Sequence, residues 1–146
     1  MAVARNRVTI RRSIEDVFAV LTDVEKTGTW FPGNVREEWT SPAPHGVGAT
    51  RRAIVKVFGR QSENDAVATE FEPPHRAAMR GTSPNAPFHV TLDFSTTGDG
   101  TQVDVTSEIG LRGGAHVFGP LVVAVYGLAW GRGLRKLKTL MESGQL

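Results

Sequence analysis

The chain has 146 residues, no cysteine, and 17 Lys/Arg against 15 Asp/Glu, a net charge of +2. That length suits a single domain over 1–146 with a sizeable core and no covalent staples, and the lack of cysteine excludes disulfides, thiolate metal sites and cysteine nucleophiles. The charge is uneven, with ten basic and six acidic residues in 1–60, two and eight in 61–111, and five and one in 112–146; none of these is the dense basic stripe that a nucleic-acid backbone requires, so no nucleic-acid partner is expected.

The first residues, MAVARNRVTIRRS, contain no apolar core of a signal peptide. The longest apolar run, Leu121 to Trp130, is about ten residues, too short to span a bilayer. The expectation is a cytoplasmic protein without membrane insertion. In chain order, a first strand is predicted over 2–11, with Val8 and Ile10 on one face. Ser13-Ile14-Glu15-Asp16 reads as a helix start, because Ser13 can cap and the acids suit the positive end of the helix dipole. Ile14, Val17, Phe18 and Leu21 recur at helical spacing, giving a short amphipathic helix. Thr27-Gly28-Thr29 ends the helical region, and Trp30-Phe31-Pro32-Gly33 makes a turn carrying a large apolar load.

The middle of the chain reads as strands. Candidates are 35–40, 49–58, 64–71 and 76–81, separated by the Pro/Gly loop at 41–46 and by Pro73-Pro74. Residues 88–95 and 102–109 alternate apolar and polar, and Gly98-Asp99-Gly100 between them is a hairpin signal. Short strands with tight turns predict an antiparallel meander. A long helix over 120–143 closes the chain, with Pro120 in its first turn and Gly144 at its stop. Tyr126, Trp130, Gly133, Leu137, Leu140 and Met141 share one broad face of it, opposite Arg132, Arg135, Lys136 and Thr139. Leu121, Val125 and Leu128 lie on the side of Arg132 and Arg135, so the first half is apolar all round and needs cover. The loops at 30–34 and 112–118, a ligand, or a second subunit docked on those three residues would supply it. Gly127, Gly131 and Gly133 each cost about 1 kcal/mol relative to Ala in a helix, which implies either a close backbone approach or space kept open.

These segments, taken in order, resemble the SRPBCC superfamily, and within it the polyketide cyclase/dehydrase-like proteins. The resemblance is carried by Val8-Thr9-Ile10 with Ser13 to Phe18, Leu21-Thr22-Asp23, Trp30-Phe31-Pro32, Gly46 to Thr50, Phe71 to Arg76, Gly98 to Thr101 and Leu134 to Lys138. It covers nearly the whole chain. It implies an α+β helix-grip fold: a seven-stranded curved antiparallel sheet wrapped around a long C-terminal helix, with two short helices after the first strand. It also implies a deep pocket for an apolar molecule. No catalytic set is common to the superfamily, so none is carried over.

The residues themselves narrow the chemistry. His45, His75, His89 and His116 never fall at ligand spacing, so neither a metal nor a cofactor is expected. Gly46-x-Gly48 precedes a strand and not a helix, which removes a phosphate loop. Asp93, Asp104 and Glu108 alternate with apolar residues and read as a solvated face. The candidate ligand-binding residues are Tyr126 and Trp130, four apart on the sheet-facing side of the helix, with Phe58, Met79, Phe88 and Phe94 as further wall from the strands, and Trp30, which the resemblance places among pocket-lining aromatics. Arg112 is a candidate partner for a carboxylate or enolate. Large aromatics also fill ordinary cores, so part of this set is expected to be simple packing. Three functions fit: binding or transport of a small, largely apolar molecule such as a polyketide, lipid or isoprenoid; a polyketide cyclase or dehydratase; or a protein-interaction module using Leu121, Val125 and Leu128.

Overall fold

The computed structural model describes residues 2–57, 59–81, 87–110 and 119–146. Seven strands, β1 (Ala2–Ile10), β2 (Asn34–Trp39), β3 (Thr50–Val57), β4 (Arg60–Glu72), β5 (Arg76–Gly81), β6 (Phe88–Thr97) and β7 (Gly100–Ile109), form one antiparallel sheet in the order β1-β7-β6-β5-β4-β3-β2. Helices α1 (Ile14–Thr22) and α2 (Thr27–Trp30), joined by a 3₁₀ turn at Val24–Lys26, lie between β1 and β2, and α3 (Gly119–Glu142) closes the chain. This is the α+β helix-grip arrangement.

The local chemistry follows the sequence in most places. The Ser13 side chain accepts from the Asp16 amide at 3.2 Å and caps α1, whose first turn carries Glu15 and Asp16. β6 and β7 pair from Phe88↔Ile109 to Thr97↔Gly100, leaving Gly98-Asp99 as a two-residue turn. A Cβ on Gly100 would fall on the Ile10 carbonyl, so only glycine lets the hairpin lie against the end of β1.

Three boundaries differ from the pattern-based expectation. β4 starts at Arg60, not at 64, because Arg60–Glu63 pair with Val57–Ile54 although all four are exposed and carry no apolar alternation. Residues 27–30 form a helical turn in place of the end of one. Gly28 allows it, since a Cβ there would come within 3.2 Å of the Val35 carbonyl of β2. In β2 the register slips between Asn34 and Arg36, so Val35 is an extra, bulged residue.

The core lies where α1 and the second half of α3 meet β1, β6 and β7. Phe18 packs edge-on against Phe94 with ring centroids 5.0 Å apart, and tilted against Phe71 at 5.5 Å. Val17, Val103, Leu134, Leu137 and Met141 are fully enclosed. The Arg12 guanidinium fastens the helix end by donating to the carbonyls of Met141 and Leu146, at 2.8 and 3.0 Å.

The first half of α3 has no such anchorage. All the buried residues of the helix, Trp130, Gly133, Leu134, Leu137 and Met141, lie in its second half. Leu121, Val125 and Leu128 are 60, 57 and 56 % exposed. The 30–34 loop does not cover them. It lies instead against Gly133, where a Cβ would sit 3.2 Å from Pro32 and 3.3 Å from Trp30. The other expected cover, 112–118, falls outside the described residues. The helix glycines therefore divide: Gly133 admits a close neighbour, while Gly127 faces open space. Gly127 still holds the helix to the sheet through its carbonyl, which accepts from Asn6 Nδ2 at 2.9 Å.

Candidate functional site

Between the sheet and the first half of α3 is a cavity of about 170 Å³. Its helix side is Tyr126 and Trp130, with Trp30 and Phe31 beside them. Ala53, Val55 and Ala66 line it from β3 and β4, and Met79, Phe88, Val90 and Leu92 from β5 and β6. Small alanines leave the space that the larger residues surround. A dry apolar cavity of about 150 Å³ suffices for benzene, so this volume takes one small ring system. A second cavity of about 50 Å³ adjoins it, sharing Leu21, Arg51, Met79, Val90 and Leu92 and reaching towards Trp39 and Phe71.

Aromatic contacts brace this part of the wall. The Phe31 ring meets Trp130 edge-on at 4.9 Å, and Trp30 lies 6.0 Å from Trp130 and 5.7 Å from Phe31. Trp30, Met79, Phe88, Tyr126 and Trp130 are thus brought together around one space. Phe94 is not part of that wall. It is buried in the core against Phe18, because β6 carries it past the end of the cavity and over α1. Phe58 and Arg112 lie outside the described residues. Of the histidines, His45 stacks on Trp39 at 3.9 Å, His89 bonds Thr69 at 3.2 Å on the outer face, and His75 is exposed. Among the described residues no cluster of three or more potential metal ligands occurs. No helix among them is long and apolar enough to cross a membrane.

The polar end of the cavity was not foreseen. Glu37 of β2 and Arg51 of β3 form an ion pair on its wall, Arg51 Nη1 to Glu37 Oε2 at 3.5 Å, with side chains 9 and 18 % exposed. Asn34 Nδ2 donates to Glu37 Oε1 at 3.2 Å, and the Thr27 hydroxyl donates to Oε2 at 3.4 Å. Burial raises the Glu37 pKa more than Arg51 lowers it, and burial lowers the Arg51 pKa more than Glu37 raises it. Both directions say the same thing: removal from water costs this pair more than its attraction returns. The Tyr126 phenol is pushed up by burial, so it stays neutral and keeps an O–H able to donate. Trp30 Nε1 and the Asn34 carboxamide oxygen are buried with no hydrogen-bond partner among the described residues. Unspent hydrogen-bonding capacity is thus found among the residues that line a largely apolar chamber.

Strict alternation hides this cluster. Asn34 and Glu37 are three apart, which in a regular strand places them on opposite faces. The bulge at Val35 returns both to the inside. Arg51 was the readable signal, since it shares a face with Ala53 and Val55.

A seven-stranded antiparallel sheet gripping a C-terminal helix around such a chamber defines a START-like ligand-binding fold. The chain belongs to the family described as polyketide cyclase/dehydrase and lipid transport, whose model matches residues 1–142. An uncharacterized protein of Mycobacterium tuberculosis is 26% identical over 133 residues, spanning 89% of this chain and 90% of its own. Among solved structures, TTHA0849 from Thermus thermophilus matches with a TM-score of 0.82 at 16% identity over 99% of both chains. A START superfamily protein from Mycobacterium smegmatis matches with a TM-score of 0.77 at 15% identity, over 98% of this chain and 96% of its own. The di-domain ARO/CYC StfQ of the steffimycin biosynthetic pathway matches with a TM-score of 0.82 at 12% identity, over 99% of this chain and 51% of its own. At these identities the structural likenesses concern the fold.

Proposed function

We propose that this protein binds, and carries, a small and largely apolar molecule in the chamber between the sheet and α3. The observation that supports this reading most is the 170 Å³ cavity walled by Trp30, Phe88, Tyr126 and Trp130, with a few polar side chains among an apolar lining. An apolar body buried against aromatics supplies affinity, and the few polar groups orient it. The first test is a thermal-shift panel of single-ring polyketides, small isoprenoids and short-chain fatty acids, preceded by native mass spectrometry for a co-purified ligand. A ligand at about a hundred times its dissociation constant adds roughly 2.7 kcal/mol, which raises the midpoint of a domain this size by several degrees. A shift that Trp130→Ala removes supports the reading. No shift and no retained mass overturns it for those classes.

A second reading is favoured by a separate observation, the neutral Tyr126 phenol facing the same chamber as Glu37 and Arg51. A donor and a cation so placed would stabilise an enolate in a cyclisation or dehydration of polyketide type. In that case Tyr126→Phe abolishes turnover and spares binding. Turnover that persists in Tyr126→Phe removes that role from the phenol, and a wild type without turnover leaves the carrier reading alone.

A further inference from the structure

We propose that the Glu37–Arg51 pair acts as a charge filter, selecting a neutral ring compound with a ketone or hydroxyl oxygen and turning away carboxylates. This rests on the ligand-binding reading above and adds the polar end of the ligand to it.

The geometry supplies the argument. Glu37 is fixed from two sides, by Asn34 Nδ2 at 3.2 Å and the Thr27 hydroxyl at 3.4 Å. Arg51 has much less. Its guanidinium carries five N–H donors, and its one partner among the described residues is Glu37, at 3.5 Å. That distance is long for a hydrogen bond. Arg51 also belongs to the walls of both cavities, so its donors stand where the two chambers meet. A ligand oxygen seated there can accept a charge-assisted hydrogen bond, the stronger kind.

Charge then decides which oxygen. Among the described residues, Glu37 and Arg51 are the only charged ones lining the larger cavity, and their charges cancel. The other polar side chains among the lining residues, Thr27, Trp30, Asn34, Asn64 and Tyr126, are neutral. A neutral carbonyl or hydroxyl oxygen leaves the balance intact. A carboxylate brings a second anion beside Glu37 in a poorly solvated space, and like charges so placed disfavour each other strongly. It cannot displace Glu37 cheaply, because Glu37 would leave Asn34 and Thr27 behind.

The test uses two probes sized for one ring, 4-ethylacetophenone and 4-ethylbenzoate, titrated by NMR into the full chain at neutral pH. The wild type should bind the ketone at least tenfold tighter than the carboxylate. In Glu37→Gln the Arg51 cation stands unopposed, and carboxylate affinity should rise at least tenfold while ketone affinity changes little. That rise separates a filter from the ordinary cost of burying an anion, which the substitution leaves unaltered. Glu37→Met, of similar size and also uncharged, serves if the Gln variant does not fold, with the same rise expected. Carboxylate affinity unchanged in a folded Glu37 variant, or equal binding of both probes by the wild type, overturns the filter and leaves the binding reading standing. Binding of neither probe by the wild type counts against both.

Discussion

The two halves of α3 are one continuous helix and do different work. Residues from Trp130 onward bury Leu134, Leu137 and Met141 in the core and are locked by Arg12. Residues before it are at most half-buried, show Leu121, Val125 and Leu128 to solvent, and offer Tyr126 to the cavity. A helix that is amphipathic along its whole length needs a continuous partner surface. Here that surface is interrupted by a chamber, and the helix stays formed because its second half is held. Stability and site are thus separated along one element, with Trp130 at the join.

The largest test of that division compares two leucines nine positions apart. Leu137→Ala removes a fully enclosed side chain and should cost about 4 kcal/mol, in the range for emptied core positions. Leu128→Ala, mostly exposed, should change stability by less than about 0.5 kcal/mol. Urea denaturation of both variants measures this. Equal costs would break the division.

The wall opposite the free half sharpens it next. Arg51→Met leaves Glu37 buried without its cation and should cost about 3 kcal/mol at neutral pH. Burial already raises the Glu37 pKa, and losing Arg51 raises it further. A carboxyl with a raised folded-state pKa is most favourable below its unfolded value and loses that advantage as pH rises through the folded value. The deficit of Arg51→Met should therefore shrink on acidification from neutral pH towards the ordinary carboxylate range. Thermal midpoints of wild type and variant across that interval test the sign. A deficit that grows on acidification would mean the carboxylate is stabilised by other partners.

The smallest effects should differ in sign. Gly127→Ala meets nothing within 4 Å and should stabilise by about 0.5–1 kcal/mol through helix propensity. Gly133→Ala pushes a methyl group to 3.2 Å from Pro32 and 3.3 Å from Trp30 and should destabilise by about 1 kcal/mol or more. The same substitution in the two halves, followed by chemical denaturation, reads the packing directly.

The parts legible in the sequence were those where one periodicity ruled. β6 and β7 alternate cleanly and pair as their hairpin signal implies. The face of Tyr126, Trp130, Leu137 and Met141 followed from helical spacing, and most of the aromatic wall came with it. The parts that stayed hidden need a partner to be seen. Arg60–Glu63 are strand only because Ile54–Val57 pair with them. Phe94 reads like Phe88 along the strand, and only its position over Phe18 makes it core. Glu37 looks like a solvated charge until the bulge at Val35 turns it inward.

That bulge has another effect, on how the molecule meets its own copies. An open sheet ends in strands with unpaired backbone groups, which invite edge-to-edge polymerisation. β2 is such an end, and it is six residues long, kinked at Val35, and carries Arg36 and Glu38 on its exposed side. A short, bent and charged border is a poor template for another strand. The irregularity that turns Glu37 into the chamber therefore also guards the protein against stacking into fibrils, and straightening it would put both at risk.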